Sequence, residues 1–171
     1  IHNKIASIPD SIGHLSALTA LYLEFNQFTT LPESITRLSS LKSLSLGSET
    51  LESFPDPIIR IPSLTKLYIY KNRIASIPDS ISQMKSLKLL MFNSSQLTSI
   101  PETMLQMTWL KELNLSNNKL TTIPETILQM TWLTELRFTY NLTSLPESIG
   151  QLTSLKLLAL YGNKLTSLPE S

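Results

Sequence analysis

Residues 110–132 read LKELNLSNNKLTTIPETILQMTW, and the same pattern recurs along the whole chain. Leu18, Leu41, Leu64, Leu87, Leu110, Leu133 and Leu155 open successive units, 23 residues apart except for a last step of 22. Within each unit the pattern is LxxLxLxxNxLxxLPxxIxxLxx. In the quoted unit Leu110, Leu113, Leu115, Asn118, Leu120, Ile123, Pro124, Ile127 and Met130 carry it. A fixed period of this length marks stacked structural units, each too small to bury its own apolar face. Six whole units occupy residues 18–154, with partial ones at 1–17 and 155–171, so the chain reads as a single solenoid.

The columns have separate physical roles. The LxLxx stretch alternates with period two, so Leu113 and Leu115 face one way while Asn114 and Ser116 face the other. One such strand per unit, stacked in parallel about 4.8 Å apart, builds a continuous sheet on one side. Asn3, Asn26, Asn72, Asn118, Asn141 and Asn163 follow the strands, where the chain turns inward and strands its backbone polar groups. An Asn side chain supplies both donors and an acceptor for them. Glu49 and Ser95 break this ladder, which predicts a distorted second unit.

Pro9, Pro32, Pro55, Pro78, Pro101, Pro124, Pro146 and Pro169 form a second column. Proline suits the first position of a helical turn, and the acid that follows it suits the positive end of one. The PESIxxL stretch is therefore expected to be a short helical or 3₁₀ turn, with Ile35, Leu38 and their equivalents packed inward. Pro57 and Pro62 are extra, and they predict an irregular, non-helical segment in the second unit.

On these residues the chain resembles the 23-residue class of leucine-rich repeats. That class is similar to the repeats of Ras-group scaffold proteins, plant intracellular relatives and exported proteins of spirochaetes and other bacteria. The resemblance implies an α/β solenoid: a right-handed horseshoe arc with a parallel sheet on the concave side and short turns on the convex side. It also implies binding of another protein, usually on the concave sheet. It names no partner, because the matching residues are the structural ones.

Composition narrows the function classes. With 14 basic and 13 acidic residues the net charge is +1, which lacks the footprint of a nucleic-acid binder. Zero cysteines exclude disulfides, thiolate zinc sites and a cysteine nucleophile. Apolar runs are too short to cross a bilayer, so no membrane insertion is expected. The only histidines, His2 and His14, cannot form a relay with a serine and an acid, and four glycines make no phosphate-cradling loop. The reading is non-enzymatic, with no cofactor and no metal. Eight acids follow the proline column, one per turn, and they read as turn-terminus charge rather than as a calcium site.

Residues 97–113 and 120–136 differ at only three of 17 positions, which points to a duplicated unit. It places Trp109 and Trp132 one turn apart, where they stack or pack between neighbouring turns. Asn93, Asn114 and Asn141 head glycosylation sequons, but on the sheet face or in the Asn ladder, where glycans would oppose folding or binding. Neither end carries a polar cap, so the chain is expected to be part of a longer one, or to associate through its ends.

The outward columns of the sheet are the candidate site. The first holds Tyr22, Ser45, Tyr68, Met91, Asn114, Arg137 and Ala159; the next holds Glu24, Gly47, Tyr70, Asn93, Ser116, Thr139 and Tyr161. All five tyrosines fall in outward or rim positions. Tyr and Arg are common interface anchors, so Tyr22, Tyr68, Tyr70, Met91, Asn93, Arg137 and Tyr161 are the expected partner-binding residues. The expected function is recognition of a protein partner on this face. The alternatives are a structural segment that self-associates through its ends, or binding of carbohydrate or another ligand. An exported bacterial setting is favoured over an intracellular scaffold because the repeat is cysteine-free and rich in serine and threonine.

Overall fold

The computed structural model describes residues 3–169. Seven strands follow one another: β1 (Ala20–Asn26), β2 (Ser43–Ser48), β3 (Lys66–Tyr70), β4 (Leu89–Asn93), β5 (Glu112–Asn114), β6 (Glu135–Arg137) and β7 (Leu157–Ala159). They form one parallel sheet in strict chain order, each strand hydrogen-bonded to the next. The register follows the sequence columns: Leu21, Leu44, Leu67, Leu90, Leu113, Leu136 and Leu158 lie side by side. This is the horseshoe architecture of a solenoid, with the sheet on its concave side.

The opposite side is built from one turn per unit. Asp10–His14, Glu33–Arg37, Asp56–Arg60, Asp79–Gln83, Glu102–Gln106 and Glu147–Gln151 are 3₁₀ helices, and Glu125–Leu128 is a single α-helical turn. The column prolines sit one position earlier than the sequence implies. Each of the seven from Pro9 to Pro146 is the extended residue before the turn, as Pro32 is with φ −70° and ψ 149°. Its carbonyl accepts the first i→i+3 bond, Ile35 N–H to Pro32 O at 3.1 Å, so the ring shapes the entry without occupying the helix. Ile35 and Leu38 are fully buried, as the pattern requires.

Pro57 and Pro62 do not abolish the turn of unit two. Asp56–Arg60 remains a 3₁₀ helix because Pro57 falls in its first turn, where an N–H has no intrahelical partner. The effect is at the edges: Pro55 has ψ 93°, and Ile61, ahead of Pro62, is extended at ψ 108° where its equivalent Leu38 has ψ 68°.

The core is one column of stacked aliphatics from Leu23 to Leu152, with Phe28, Phe54, Phe92 and Phe138 at leucine positions. Within the quoted unit Leu110, Ile127 and Met130 are fully buried, and truncating such a side chain to alanine costs about 2–5 kcal/mol. Leu15 and Leu168, in the first and last described turns, are exposed.

Asn118 shows a complete rung of the ladder. Its Nδ2 donates to Phe92 O at 2.7 Å and Leu115 O at 2.9 Å, and its Oδ1 accepts from Leu97 N–H at 3.2 Å. Asn163 likewise ties Asn141 N–H and Leu142 N–H to Phe138 O and Leu160 O. Asn3, in contrast, is exposed.

The break at Glu49 has the expected consequence, and its form is specific. Residues just before the Asn column take positive φ at Phe25, Lys71, Ser94, Asn117, Tyr140 and Gly162, whereas Ser48 does not. Strand β2 therefore runs on to pair Ser48 with Asn26 across a bulge, and Glu49 is left exposed. The hydroxyls of Ser48 and Thr50 both reach Phe28 O, at 2.7 and 3.0 Å. The next rung pays for this: Asn72 bonds only Ile74 N–H of its own turn, and its buried Nδ2 has no partner.

Candidate protein-binding face

The sheet register brings Tyr22, Ser45, Tyr68, Met91, Asn114, Arg137 and Ala159 into one row across the seven strands. Tyr70 and Asn93 are neighbours in the next row. Five of the expected residues thus form a patch on β1, β3 and β4: Tyr22, Tyr68, Tyr70, Met91 and Asn93. The Tyr68 and Tyr70 rings pack with centroids 6.3 Å apart and a 47° tilt.

Arg137 and Tyr161 stand apart from this patch. Arg137 lies two strands beyond Met91, across the buried Asn114, and its guanidinium is held 2.9 Å from Glu135 on its own strand. Glu112 and Glu135 are in register, so Arg137 partly neutralises an acidic pair instead of extending the aromatic surface. Tyr161 lies beyond β7 and packs edge-on against Tyr140, with centroids 6.0 Å apart. Tyr140 in turn lies over Gly162, where an added Cβ would stand 2.7 Å from the ring and where φ is +71°.

Outward direction does not guarantee exposure. Ser45, Asn114, Ser116 and Thr139 all belong to outward columns, yet they are buried beneath their neighbours. Asn114 also turns its Oδ1 to Ser116 N–H at 3.0 Å. Tyr22, at 63% relative exposure, offers the largest free aromatic surface in the row.

Sequence reading passes over three residues in choosing the patch: Glu24, Ser45 and Gly47. The Ser45 hydroxyl donates to Glu24 Oε1 and lies 3.1 Å from Tyr70 Oη, so one small side chain ties a carboxylate on β1 to a phenol on β3. The missed signal was the run of small residues in the outward columns of unit two. Burial raises the Tyr68 pKa above 10.0, with Tyr22 and Glu112 adding to the shift. Burial also raises that of Tyr70; the Ser45 contact opposes it, and Glu24 reinforces it. Both phenols are neutral at physiological pH.

The two tryptophans pack locally. Trp109 donates its ring N–H to Met84 O at 2.9 Å and receives the Lys85 ammonium 4.3 Å from its ring centroid. Trp132 is half-buried against the core, and its Nε1 has no hydrogen-bond partner. On the convex side Glu33 pairs with Arg60, and Asp79 accepts from Thr103 at 3.2 Å. Among the described residues no group of three or more His, Asp or Glu side chains is arranged to hold a metal ion. His2 and Glu170 lie outside the described residues. No helix among the described residues is long and apolar enough to cross a membrane.

Two models of the leucine rich repeat match the chain, over residues 62–120 and 17–38. No curated protein matches it. Among solved structures it is similar to a leucine-rich-repeat protein of Leptospira interrogans, at 41% identity and a TM-score of 0.84 over 98% of this chain. It also resembles an internalin from Listeria monocytogenes, at 24% identity and a TM-score of 0.74 over 95% of this chain, a likeness of fold. The chain spans 43% and 47% of the lengths of those two proteins. Repeat pattern, sheet register and these likenesses agree: the chain folds as a leucine-rich-repeat solenoid.

Proposed function

We propose that this solenoid is a non-enzymatic recognition module that captures a protein partner on its concave sheet, chiefly through Tyr22, Tyr68, Tyr70, Met91 and Asn93. The observation that carries this reading is the aromatic patch itself. The three tyrosines lie outside the core: Tyr22 on β1 and Tyr68 on β3 share one row on either side of Ser45 of β2, and Tyr70 lies two residues further along β3. Tyrosines supply large contact area at low entropic cost, and a sheet built on stacked repeats holds them rigidly. Arg137 and Tyr161 are outlying contacts that a long partner reaches along the same face.

The test is affinity capture with the purified chain, comparing wild type with Tyr68→Ala/Tyr70→Ala and separately with Arg137→Glu. All forms must first show equal circular dichroism and melting temperature. A partner retained by wild type and lost by the double tyrosine variant supports the concave patch. A partner bound equally by all forms moves the site to the convex turns or the flanks.

A further inference from the structure

The near-zero net charge conceals a segregation of its signs. In every unit the chain passes from the convex turn back to the start of a strand. These return segments are 11–19, 34–42, 57–65, 80–88, 103–111, 126–134 and 148–156. They hold seven of the 14 basic residues and none of the 13 acids. Their ends are tied together in chain order by the backbone. Along Thr19, Lys42, Thr65, Lys88, Lys111, Thr134 and Lys156, each N–H donates to the carbonyl of the residue before it in the series, at 2.8 or 2.9 Å. Lys42, Lys88, Lys111 and Lys156 therefore stand along one edge of the sheet, over about 24 Å at the spacing of parallel strands.

The charge of this flank is not neutralised from within. All four lysines are exposed, and the ion pairs among the described residues involve Arg60, Arg73 and Arg137 instead. Behind the row, Arg37 and Lys85 are exposed as well. The carboxylates at its margins belong to other faces. Glu112 and Glu135 follow Lys111 and Thr134 but stand in the outward column of the concave sheet, where Glu135 holds Arg137. The acids after the column prolines precede the return segments at the far side of the turn, and Glu33 there holds Arg60. Two aromatic rings share the flank. Trp109 and Trp132, both half-buried, are the only tryptophans of the chain. Lys85 Nζ lies 4.3 Å from the Trp109 ring centroid, and Lys111 Nζ donates to Trp132 O at 3.5 Å.

Lysine is a compact point charge, unlike the fork with which arginine grips a single carboxylate or phosphate. Spread over about three Debye lengths at physiological salt, these charges suit an extended anionic surface better than one anion. Half-buried indoles beside them add side chains that settle at the level of lipid headgroups. We propose that this flank docks the solenoid peripherally on an anionic lipid surface, with Lys42, Lys88, Lys111 and Lys156 among the headgroups and Trp109 and Trp132 beside them. Nothing in this mode requires a segment to cross the bilayer. It uses the edge where the strands begin, so it does not depend on the tyrosine patch of the concave face.

The test is co-sedimentation of the whole chain with lipid vesicles, read together with its tryptophan fluorescence. The probes are vesicles of phosphatidylcholine alone and vesicles in which phosphatidylglycerol replaces about one third of it. The chain is expected to sediment with the anionic vesicles only, to shift its fluorescence to the blue, and to be released at about 1 M salt. Lys88→Gln/Lys111→Gln is expected to weaken this binding at least about tenfold. Lys119→Gln/Lys164→Gln removes the same charge from exposed lysines beyond the far ends of the strands, and is expected to bind within about twofold of wild type. All three forms must show the same circular dichroism. Equal sedimentation with both kinds of vesicle overturns the proposal, as does an equal loss in the two double variants. Sedimentation without any change in fluorescence places the contact on another face and overturns it too. Binding to dextran sulfate with none to the anionic vesicles assigns the lysine row to a soluble polyanion, and likewise overturns it.

Discussion

Units two and five meet the same requirement with different chemistry. In both, the chain leaves the sheet, turns inward and exposes backbone groups that stacking then removes from water. Unit five uses one residue: Asn118 bonds the carbonyls of its own turn and of the preceding unit, and accepts from Leu97 N–H. Unit two has Glu49 at that place, and a carboxylate cannot donate. The strand extends instead, and two hydroxyls, Ser48 and Thr50, share Phe28 O. That local repair does not reach forward, so the rung at Asn72 is left with an unpaired Nδ2. A solenoid thus tolerates a substitution in one unit but transmits part of its cost to the next, because each rung is built from two units.

The comparison can be broken by equilibrium unfolding. Asn118→Ala should have the largest effect, about 1–3 kcal/mol of lost stability, because it strands several buried backbone groups at once. An unchanged melting curve would remove the ladder from the account of this fold. In unit two, Ser48→Ala with Thr50→Val should cost about 1–2 kcal/mol by stranding Phe28 O. Each single change should cost less than half of that, since the other hydroxyl still reaches the carbonyl. Strict additivity of the two single effects would show that the hydroxyls do not share a role. Asn72→Ala should be the mildest, roughly 0.5–1 kcal/mol, because it gives up the bond to Ile74 N–H while also removing an unsatisfied donor. A loss as large as that of Asn118→Ala would mean that the Asn72 rung is intact.

A final measurement sharpens the contrast on the binding face. Tyr68 and Tyr70 titrate above the ordinary 10.0, chiefly because burial disfavours their charged forms. Their stabilising contribution is therefore fully present below pH 10.0 and is lost as pH rises through the raised values. In an alkaline absorbance titration, Tyr68→Phe and Tyr70→Phe should each remove an ionisation step above pH 10.0. Removal of a step at or below that pH would contradict the packing of the patch.

Much of the molecule was legible in the columns. The spacing of leucines predicts the sheet, its parallel order and its core, and the break at Glu49 marks the distorted unit. Two local rules misled. Extra prolines implied an irregular turn, but Pro57 falls where a helix needs no N–H, so the 3₁₀ turn survives. The column prolines implied a first helical position, yet they stand just ahead of it as extended residues. In the candidate site Tyr22, Tyr68, Tyr70 and Met91 were read together as outward residues, and the register places them so. Arg137 was read as part of the same surface, but it is held by Glu135 beyond the buried Asn114.

By itself the sequence determined which residues face the core and which face outward, because alternation along a strand and a fixed period are local properties of the chain. Only the tertiary structure decided which outward residues remain accessible. Ser45, Asn114, Ser116 and Thr139 are outward and buried, while Tyr22 is outward and free. Exposure depends on the size of side chains one unit away on either side, some 23 residues distant in the chain. For the same reason the cover over Ser45 belongs to no single repeat: Tyr22 and Tyr68 flank it from the units on either side.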